Sequence, residues 1–514
     1  MSDMAESSAE PARSPARGRG LTLGIVAAVL VVLLGGAAYA AYRAMSGGGP
    51  QPADALPGNA LAYLRVDLDP SAAQKVAGMR LLQKFPALAE ASGVTDINQD
   101  LRRRAFEEFQ QETGTCGALS YDEDIASWLG DRAAIAAFPP ARGENGADAA
   151  MVLQVSDPDA AETGLRALAD CAGSELPAHA SVGSDYLLFA VTQARATAYA
   201  AAAESDPLSE NPVFRADMAR LGDQGVVSAW VSVDAALKAL PAEMFPMGVG
   251  GPKAGQAETA AAALRFGSDY LEIAGLTTGA PPAAETVANP VVELPDTTFM
   301  AASLSGGGEQ VDTMWKSLAG VLAASGQSLD VLESQLQSET GLVLPADLET
   351  VLGDNVTLAM DSDGLNFAAV AVNGDTSKLR VGARFTTDPK AFRTVLAKLR
   401  DYAASQGVPL PLTTVDGKGS VGVSTNARYA RELVGDGGLG DSYAFSNAVP
   451  DAASAVSVFF VNFDAVQTQM IRLMEQAGAP REVVDNVRPL ASLGISSHLL
   501  EQGVYDFRLR LTVN

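Results

Sequence analysis

The chain has 514 residues, of which 47% are apolar and 19% charged, so it is too hydrophobic for general disorder. It carries 61 acidic and 36 basic residues, a net charge of −25. So acidic a chain repels phosphate backbones, which excludes nucleic acid as an expected partner. The length suggests about two to four units of fold.

The N-terminal region predicts a membrane anchor. Residues 1–20 are polar, with balanced charge, and are predicted to form a cytoplasmic tail. Residues 21–42 contain no charge, and a helix of this length crosses a hydrocarbon core of roughly 30 Å. Three arginines precede this run and only Arg43 follows it directly, so we expect a cytoplasmic N-terminus and an extracytoplasmic body at the cell membrane. A cleaved signal peptide is the alternative, because Ala38-Tyr39-Ala40 offers a cleavage site.

The next features concern the body outside the membrane. Residues 43–54 are rich in Gly and Pro and predict a flexible linker. The only cysteines in the sequence are Cys116 and Cys171. In an oxidising compartment they are expected to form a disulfide, the alternative being two separate buried thiols.

An internal duplication is the strongest organisational signal. Four landmarks recur in the same order: segments 128–131 and 351–354, Asp157-Pro158 and Asp388-Pro389, Trp230 and Phe459, and Leu56-Pro57 and Leu294-Pro295. Their spacing drifts as loop insertions would make it drift. Residues 55–288 and 289–514 are therefore predicted to be two homologous α/β units, and the period is too long for a solenoid.

Local signals predict the elements of each unit. Asp157 and Asp388 are expected helix N-caps, and Gly130 and Gly353 are expected left-handed helix ends. The predicted strands are 61–68, 133–138, 150–155, 186–191, 226–233, 299–304, 356–360, 367–372, 381–385, 455–463 and 504–513. The predicted helices are 71–85, 97–111, 158–169, 309–324, 389–404 and 465–476. Because hairpins are frequent, we expect an α+β fold: a transmembrane helix followed by two units of antiparallel-rich sheet with packed helices.

Several of these segments also carry a resemblance. They are Leu56-Pro57, Tyr63-Leu64-Arg65-Val66-Asp67, Asp69-Pro70, Phe85-Pro86 and Trp128-Leu129-Gly130-Asp131. In these segments the chain resembles an actinobacterial family of single-pass, membrane-anchored envelope proteins known only as a domain of unknown function. The resemblance implies membrane attachment and an extracytoplasmic body, and it implies no catalytic residue.

Four motifs have structural explanations. Residues 417–422 fit GxGxxG, but strand-like flanks favour a hairpin over a dinucleotide site. Residues 361–364 lack the further acidic ligands of a calcium loop and also predict a hairpin. Residues Arg102 to Arg104 are expected to form a solvated helix face, with an anionic-lipid contact as the alternative. His179 and His498 are expected to be surface or satisfied core residues.

One apolar loop is a candidate contact site. Its apolar side chains include Met244, Phe245, Met247 and Val249, and Gly and Pro keep the segment out of helix and strand interiors. The loop either packs on its own unit or offers a pliable surface to a partner or a bilayer.

No nucleophile, metal or phosphate-binding motif occurs, so no catalytic, cofactor or metal residue is predicted. We expect a non-catalytic, membrane-anchored envelope protein that binds a protein or lipid partner or a hydrophobic ligand. The alternatives are a carrier of lipids or cell-wall precursors, and an envelope hydrolase whose carboxylates meet only in the fold.

Overall fold

The computed structural model describes residues 50–68, 71–92, 100–114, 116–140, 147–239, 258–280, 288–324, 326–366, 369, 378–408 and 410–514. The predicted anchor 21–42 and the loop residues Met244, Phe245, Met247 and Val249 lie outside these ranges, as do Asp69 and Pro70. The predicted strand 367–372 lies outside them except for residue 369. Within the ranges, none of the helices combines the length and the hydrophobicity that a membrane crossing requires.

Sixteen strands of the described chain form one antiparallel sheet. The strands are β1 Ala62–Asp67, β2 Leu129–Phe138, β3 Asp148–Val155, β4 His179–Val182, β5 Tyr186–Ala190, β6 Val227–Ser232, β7 Thr259–Phe266, β8 Tyr270–Thr278, β9 Thr298–Ser305, β10 Asn355–Asp361, β11 Val381–Thr386, β12 Thr413–Gly417, β13 Ser420–Ser424, β14 Ser457–Asn462, β15 Leu490–Glu501 and β16 Val504–Val513. The fold is thus α+β with a large antiparallel sheet and packed helices, as the sequence predicts.

The two halves of the sheet have the same strand order. From one edge to the middle it runs β4-β5-β3-β2-β1-β6-β7-β8, and from the other edge it runs β12-β13-β11-β10-β9-β14-β15-β16. The halves meet where β8 pairs with β16, from Tyr270 opposite Thr512 to Thr277 opposite Tyr505. Equivalent strands that pair antiparallel are related by a local two-fold axis. The common origin of the halves and the boundaries 55–288 and 289–514 stay predictions.

Helices of the described chain lie on both faces of the sheet. They are α1 Ala72–Lys84, α2 Pro86–Ser92, α3 Leu101–Thr113, α4 Pro158–Ala172, α5 Gln193–Ser205, α6 Pro212–Leu221, α7 Val233–Ala239, α8 Gly307–Ala324, α9 Leu329–Thr340, α10 Ala346–Leu352, α11 Pro389–Ser405, α12 Ala427–Glu432, α13 Tyr443–Ala448, α14 Gln467–Gln476 and α15 Arg481–Val487. Asp157 and Asp388 cap α4 and α11, as predicted, each accepting hydrogen bonds from backbone amides of the first turn.

One face of the sheet, which we call the packed face, carries the larger cores. In the first half Phe214 of α6 packs edge-on against Trp230, with ring centroids 5.5 Å apart. In the second half Phe445 of α13 packs in the same way against Phe460, at 4.9 Å. The residue equivalent to Trp230 is therefore Phe460, and the predicted match of Trp230 with Phe459 is off by one position. A shift of one residue moves a strand side chain to the opposite face.

Three further local predictions need correction. Gly353 has a positive φ of 49°, whereas Gly130 does not and lies inside β2. The composition of residues 176–179 predicts a loop, whereas His179 begins strand β4. The predicted linker is shorter than 43–54, because Pro52–Ala55 forms a helical turn in which Ala53 is only 4% exposed. Pro50, Pro52, Ala53 and Ala55 are small and apolar, so a segment with this composition can be buried as readily as it can form a flexible linker.

The GxGxxG segment forms a hairpin, as predicted. β12 and β13 pair from Thr413 opposite Ser424 to Gly417 opposite Ser420. The turn between them needs Gly419, whose φ is +65°. Asp361 is the last residue of β10, and residues 362–364 follow it directly.

Candidate functional site

The face opposite the packed face is the most unusual surface of the described chain. We call its part on the nine central strands, from β1 through β16 to β10, the open face. Its side chains are Ala62, Leu64, Val227, Ala229, Val231, Ala260, Ala262, Leu264, Leu271, Ile273, Gly275, Thr277, Tyr505, Phe507, Leu509, Leu511, Leu493, Ile495, Ser497, Leu499, Ser457, Phe459, Val461, Met300, Ala302, Leu304, Val356, Leu358 and Met360. None of these residues is charged, in a chain with 61 acidic residues.

The open face is accessible to solvent along its length. Every residue of that set is partly exposed or exposed, while the alternate residues of the same strands are mostly buried. The most exposed members are Leu358 at 54%, Leu304 at 45%, Phe507 at 40% and Ile273 at 39%. No described segment therefore covers the middle of this face.

The open face lacks the polar residues that a solvated sheet face usually carries. An antiparallel sheet with one solvated face normally places its polar residues there. Here the buried charged residues lie on the packed face, among them Glu272 and Asp506. Glu272 accepts from Arg510 Nε at 2.6 Å across the β8–β16 pair, and Arg265 Nη1 lies 3.3 Å from it. The open face, whose side chains are uncharged, is therefore the face that no described helix covers at its centre.

The size of the open face exceeds that of an ordinary surface patch. Nine strands at about 4.8 Å spacing and about six residues per strand cover roughly 800 Å² of sheet. The largest apolar patch on a typical monomer is about 300–600 Å², and larger patches usually mark contact sites. The arrangement can bind an extended apolar ligand by desolvation, without any reaction chemistry.

Helices close both flanks and one end of the open face. The flanks are covered by α4 in the first half, where Trp128 and Met151 are buried, and by α11 in the second, where Phe392 packs on Phe385 with ring centroids 4.6 Å apart. At one end, Leu81 of α1 and Phe85, which follows α1 directly, contact the strand ends at Phe266, Leu271, Leu490 and Val513. We call this the Pro50 end of the sheet. It is named after Pro50, whose carbonyl oxygen accepts from Arg132 Nη1 at 3.2 Å and Tyr186 Oη at 2.8 Å beside the end of β1.

The predicted disulfide is present. Cys116 and Cys171 are bonded, with Cα atoms 5.1 Å apart. Cys116 follows α3 and Cys171 lies in the last turn of α4, so the bond ties two elements beside the first flank. The alternative of two separate thiols is wrong. The pair lies away from the open face and serves the fold.

The arginine patch on α3 is paired with carboxylates of its own unit. Arg102 contacts Asp100 and Asp131, Arg103 contacts Asp122, and Arg104 lies 3.2 Å from Glu108. Only the last of these is the helical pairing that the spacing indicates. The i+4 spacing of Ile97, Leu101, Ala105 and Phe109 predicts an apolar stripe on this helix. Phe106, which is outside that stripe, is buried.

His498 is a satisfied core residue, which was one of the two predicted alternatives. Its Nδ1 lies 2.8 Å from Asp506 Oδ1 and its Nε2 lies 3.3 Å from the Asp451 carbonyl oxygen. Burial alone would raise the pKa of Asp506, but the hydrogen bonds from His498 and the Arg508 guanidinium hold that pKa below its ordinary value. Ser496 is buried nearby and its hydroxyl has no partner in the described chain, yet both ring nitrogens of His498 face other oxygens. This is not the geometry of an activated nucleophile.

Equivalent positions of the two packed faces differ in charge. In the first half Asp67 pairs with Arg65 and, at 3.1 Å, with Arg132. The corresponding part of the second half is a neutral network, in which Asn355 Nδ2 donates to Ser303 and Ser305 hydroxyls at 3.0 Å each. Equivalent backbone positions therefore carry buried ion pairs in the first half and neutral hydrogen bonds in the second.

The described ranges offer few other candidate binding sites. They hold no group of three or more His, Cys, Asp or Glu residues placed to bind a metal ion. Two surface clefts of the described chain have volumes of about 440 Å³, beside Arg472, and about 350 Å³, beside Asp451. The sequence signals for the open face were apolar strands such as 455–463, but nothing in them showed which side stays open.

Comparison with known proteins finds a family model that matches part of the chain. Residues 23–179 match the family described as "Protein of unknown function (DUF3352)", which confirms the predicted domain of unknown function there. No curated protein matches the chain.

Solved structures offer a weak likeness. Crystal form III of TP0453 is 10% identical, with a TM-score of 0.23, and the match covers 47% of this chain and 84% of that one. Crystal form IV is 11% identical, with a TM-score of 0.22 and coverages of 45% and 81%. TM-scores of this size do not indicate a shared fold.

Proposed function

We propose that the protein is a single-pass membrane protein whose extracytoplasmic body binds a hydrophobic ligand, the acyl chains of a lipid, on the open face. The observation that carries the proposal is the uncharged, solvent-accessible side of nine adjacent strands. Acyl chains fit because they need area and no directional partner. The role is one of binding and not of catalysis.

The anchor is the second part of this proposal. It rests on the uncharged run 21–42 and on its flanking arginines. The family match begins at residue 23, inside this run. A protein held at the bilayer meets its ligand where lipids are concentrated.

A lipid-carrier role is the second candidate. It is favoured by the open end of the face, opposite α1, where Leu304, Phe507 and Leu500 stay 40–52% exposed. An acyl chain can leave such an end without the sheet opening. The other sequence-based alternatives, an envelope hydrolase and a protein partner for the loop at Met244, remain untested predictions.

Photocrosslinking tests the binding proposal. The full-length protein is reconstituted into phosphatidylcholine vesicles that contain a phospholipid with a diazirine in its acyl chain, and labelled peptides are mapped by mass spectrometry. We expect labels on the strands of the open face in addition to residues 21–42. Labels confined to residues 21–42 would overturn the proposal.

Matched variants sharpen this test. Leu358→Glu and Phe507→Glu each place a charge on the open face, and we expect severalfold weaker labelling of the strands. Val213→Glu and Val191→Glu are controls, because these side chains are 49% and 57% exposed on other surfaces. All four positions are exposed enough to tolerate the change, which circular dichroism checks. Equal losses in both sets would also reject the proposal.

A further inference from the structure

The helices at the Pro50 end form one layer. α1 packs on the strand ends, and α2 is joined to α15 by a hydrogen bond from the Ala87 amide to Asn486 Oδ1 at 3.2 Å. α14 starts five residues after β14, which ends on the same side. We call α1, α2, α14 and α15 the end layer.

The end layer has the opposite charge to the rest of the chain. Residues 72–92 and 467–488 hold six basic and four acidic residues, a net charge of +2 in a chain of −25. The contrast is sharpest with the helices α8 to α10 of the second half. Residues 307–352 hold seven acidic residues and one basic residue, a net charge of −6.

Four cations of the end layer are available to a partner. Arg80, Lys84, Arg472 and Arg481 form no ion pair anywhere in the described chain. Arg80, Arg472 and Arg481 are exposed and Lys84 is partly exposed. A folded acidic protein ordinarily pairs such residues with its many carboxylates, and here it does not.

The chain that leads to the proposed anchor leaves from the same end. Pro50 is fixed there by Arg132 and Tyr186. Only residues 43–49 separate it from the end of the apolar run, and seven residues span at most about 25 Å. The end layer is therefore held near the bilayer surface, if residues 21–42 cross it as proposed above.

We propose that the end layer docks on an anionic membrane surface through Arg80, Lys84, Arg472 and Arg481. Charge complementarity selects this surface, since basic residues near an anionic leaflet are attracted within a Debye length of it. The short connection supplies the proximity. Docking by this end turns the open end of the lipid-binding face away from the membrane.

Energy transfer in vesicles tests the docking. Full-length protein is labelled at the end layer through Gln476→Cys, or at the far end of the sheet through Gln502→Cys, because the native cysteines are both in the disulfide. The acceptor is carried on lipid head groups, in vesicles of phosphatidylcholine alone or mixed equally with phosphatidylglycerol. We expect transfer from position 476 to exceed that from 502, to rise with phosphatidylglycerol and to fall with added salt.

Two quadruple variants with the same charge change separate docking from general electrostatics. Changing Arg80, Lys84, Arg472 and Arg481 to Gln should lower the docked-to-undocked ratio on the order of a thousandfold. Changing the exposed residues Arg215, Lys390, Lys418 and Arg431 to Gln should leave it unchanged.

The outcomes are separable from those of the proposed function. Transfer from position 476 that is the same in both lipid mixtures, or equal effects of the two quadruple variants, overturns the docking and leaves the acyl-chain labelling standing. If the wild type fails to float with phosphatidylcholine vesicles, the anchor is wrong. Docking then predicts salt-sensitive flotation with the phosphatidylglycerol mixture that only the end-layer variant loses, and its absence overturns docking as well.

Discussion

Two glycines in helices differ in the space around them. Gly164 of α4 faces the indole of Trp128, and a Cβ built there would lie 2.2 Å from Nε1. Gly320 of α8 has nothing within 4 Å of such a Cβ. Helix propensity favours Ala over Gly by about 1 kcal/mol at both positions. We therefore expect Gly320→Ala to raise the free energy of unfolding by about 0.5–1 kcal/mol and Gly164→Ala to lower it by about 1–3 kcal/mol.

Urea unfolding of the two variants measures both effects. Each variant is the control for the other, because the substitution is the same and only the contacts of the added methyl group differ. A stabilising Gly164→Ala would mean that Trp128 moves away at little cost, and the packing described for this flank would then be incorrect.

Asp506 predicts an acid-sensitive contribution to stability. Its folded pKa lies below the ordinary value of 3.8, because hydrogen bonds from His498 and the Arg508 guanidinium outweigh burial. The unfolded state thus binds more protons in that range, so stability rises with pH. The contribution is complete above the unfolded pKa and is lost as pH falls through the folded pKa. Melting temperatures of the wild type and Asp506→Asn should differ at pH 7, and the difference should begin to shrink near the unfolded pKa of about 3.9 and vanish only below the lower folded pKa.

The matched control for this effect is an exposed carboxylate. Asp122 is also lowered in pKa by Arg103, but it is fully exposed, so Asp122→Asn should change the melting curve little at any pH. A constant difference between the wild type and Asp506→Asn across the pH range would contradict the assignment.

Among the elements, the disulfide links α3 to α4 across a sequence separation of 55 residues. In the chain-entropy model, closing a loop of this length stabilises the fold by about 4 kcal/mol. The double variant Cys116→Ala/Cys171→Ala should therefore shift the urea midpoint of the first half downward. Reducing the wild type should reproduce the shift, and an unchanged midpoint in both cases would show that the bond contributes little.

Elements with local signals were the ones the sequence predicted well. Asp157 and Asp388 mark helix starts because a capping side chain and a proline act within one turn. β7 was missed, since its sequence from Thr259 to Phe266 is rich in alanine, which favours helix over strand. Only its pairing with β6 and β8 makes it a strand.

The open face could not be predicted from the sequence for a related reason. A residue such as Glu272 in β8 would normally mark the solvent side of a strand, yet it is 4% exposed and its apolar neighbour Ile273 is 39% exposed. The ion pair with Arg510 comes from a strand more than 200 positions away, and no local pattern contains it. The sequence of one strand therefore does not show which of its faces water reaches.

Across the whole molecule, one seam joins two halves of the same strand order. β8 and β16 pair over eight residues, and the seam also buries Glu272 against Arg510. Each half has its own packed core, around Tyr63 in the first and Phe460 in the second. A chain cut between the halves should therefore keep both cores and lose only the connection.

The cut belongs within residues 281–287, near the predicted boundary at 288. Co-expressed fragments 1–284 and 285–514 should co-purify as a one-to-one complex. The unpaired backbone N–H and C=O groups of an edge strand such as β16 readily form hydrogen bonds with another strand. Arg510→Leu in the second fragment removes one of the two arginines that pair with the buried Glu272 and leaves Arg265, so the seam should weaken by about 1–3 kcal/mol. We expect that variant to separate the fragments on size exclusion, whereas Arg428→Leu, which breaks an exposed helical pair with Glu432, should not. Fragments that elute apart without any substitution would show that the connection, and not the seam, holds the halves together.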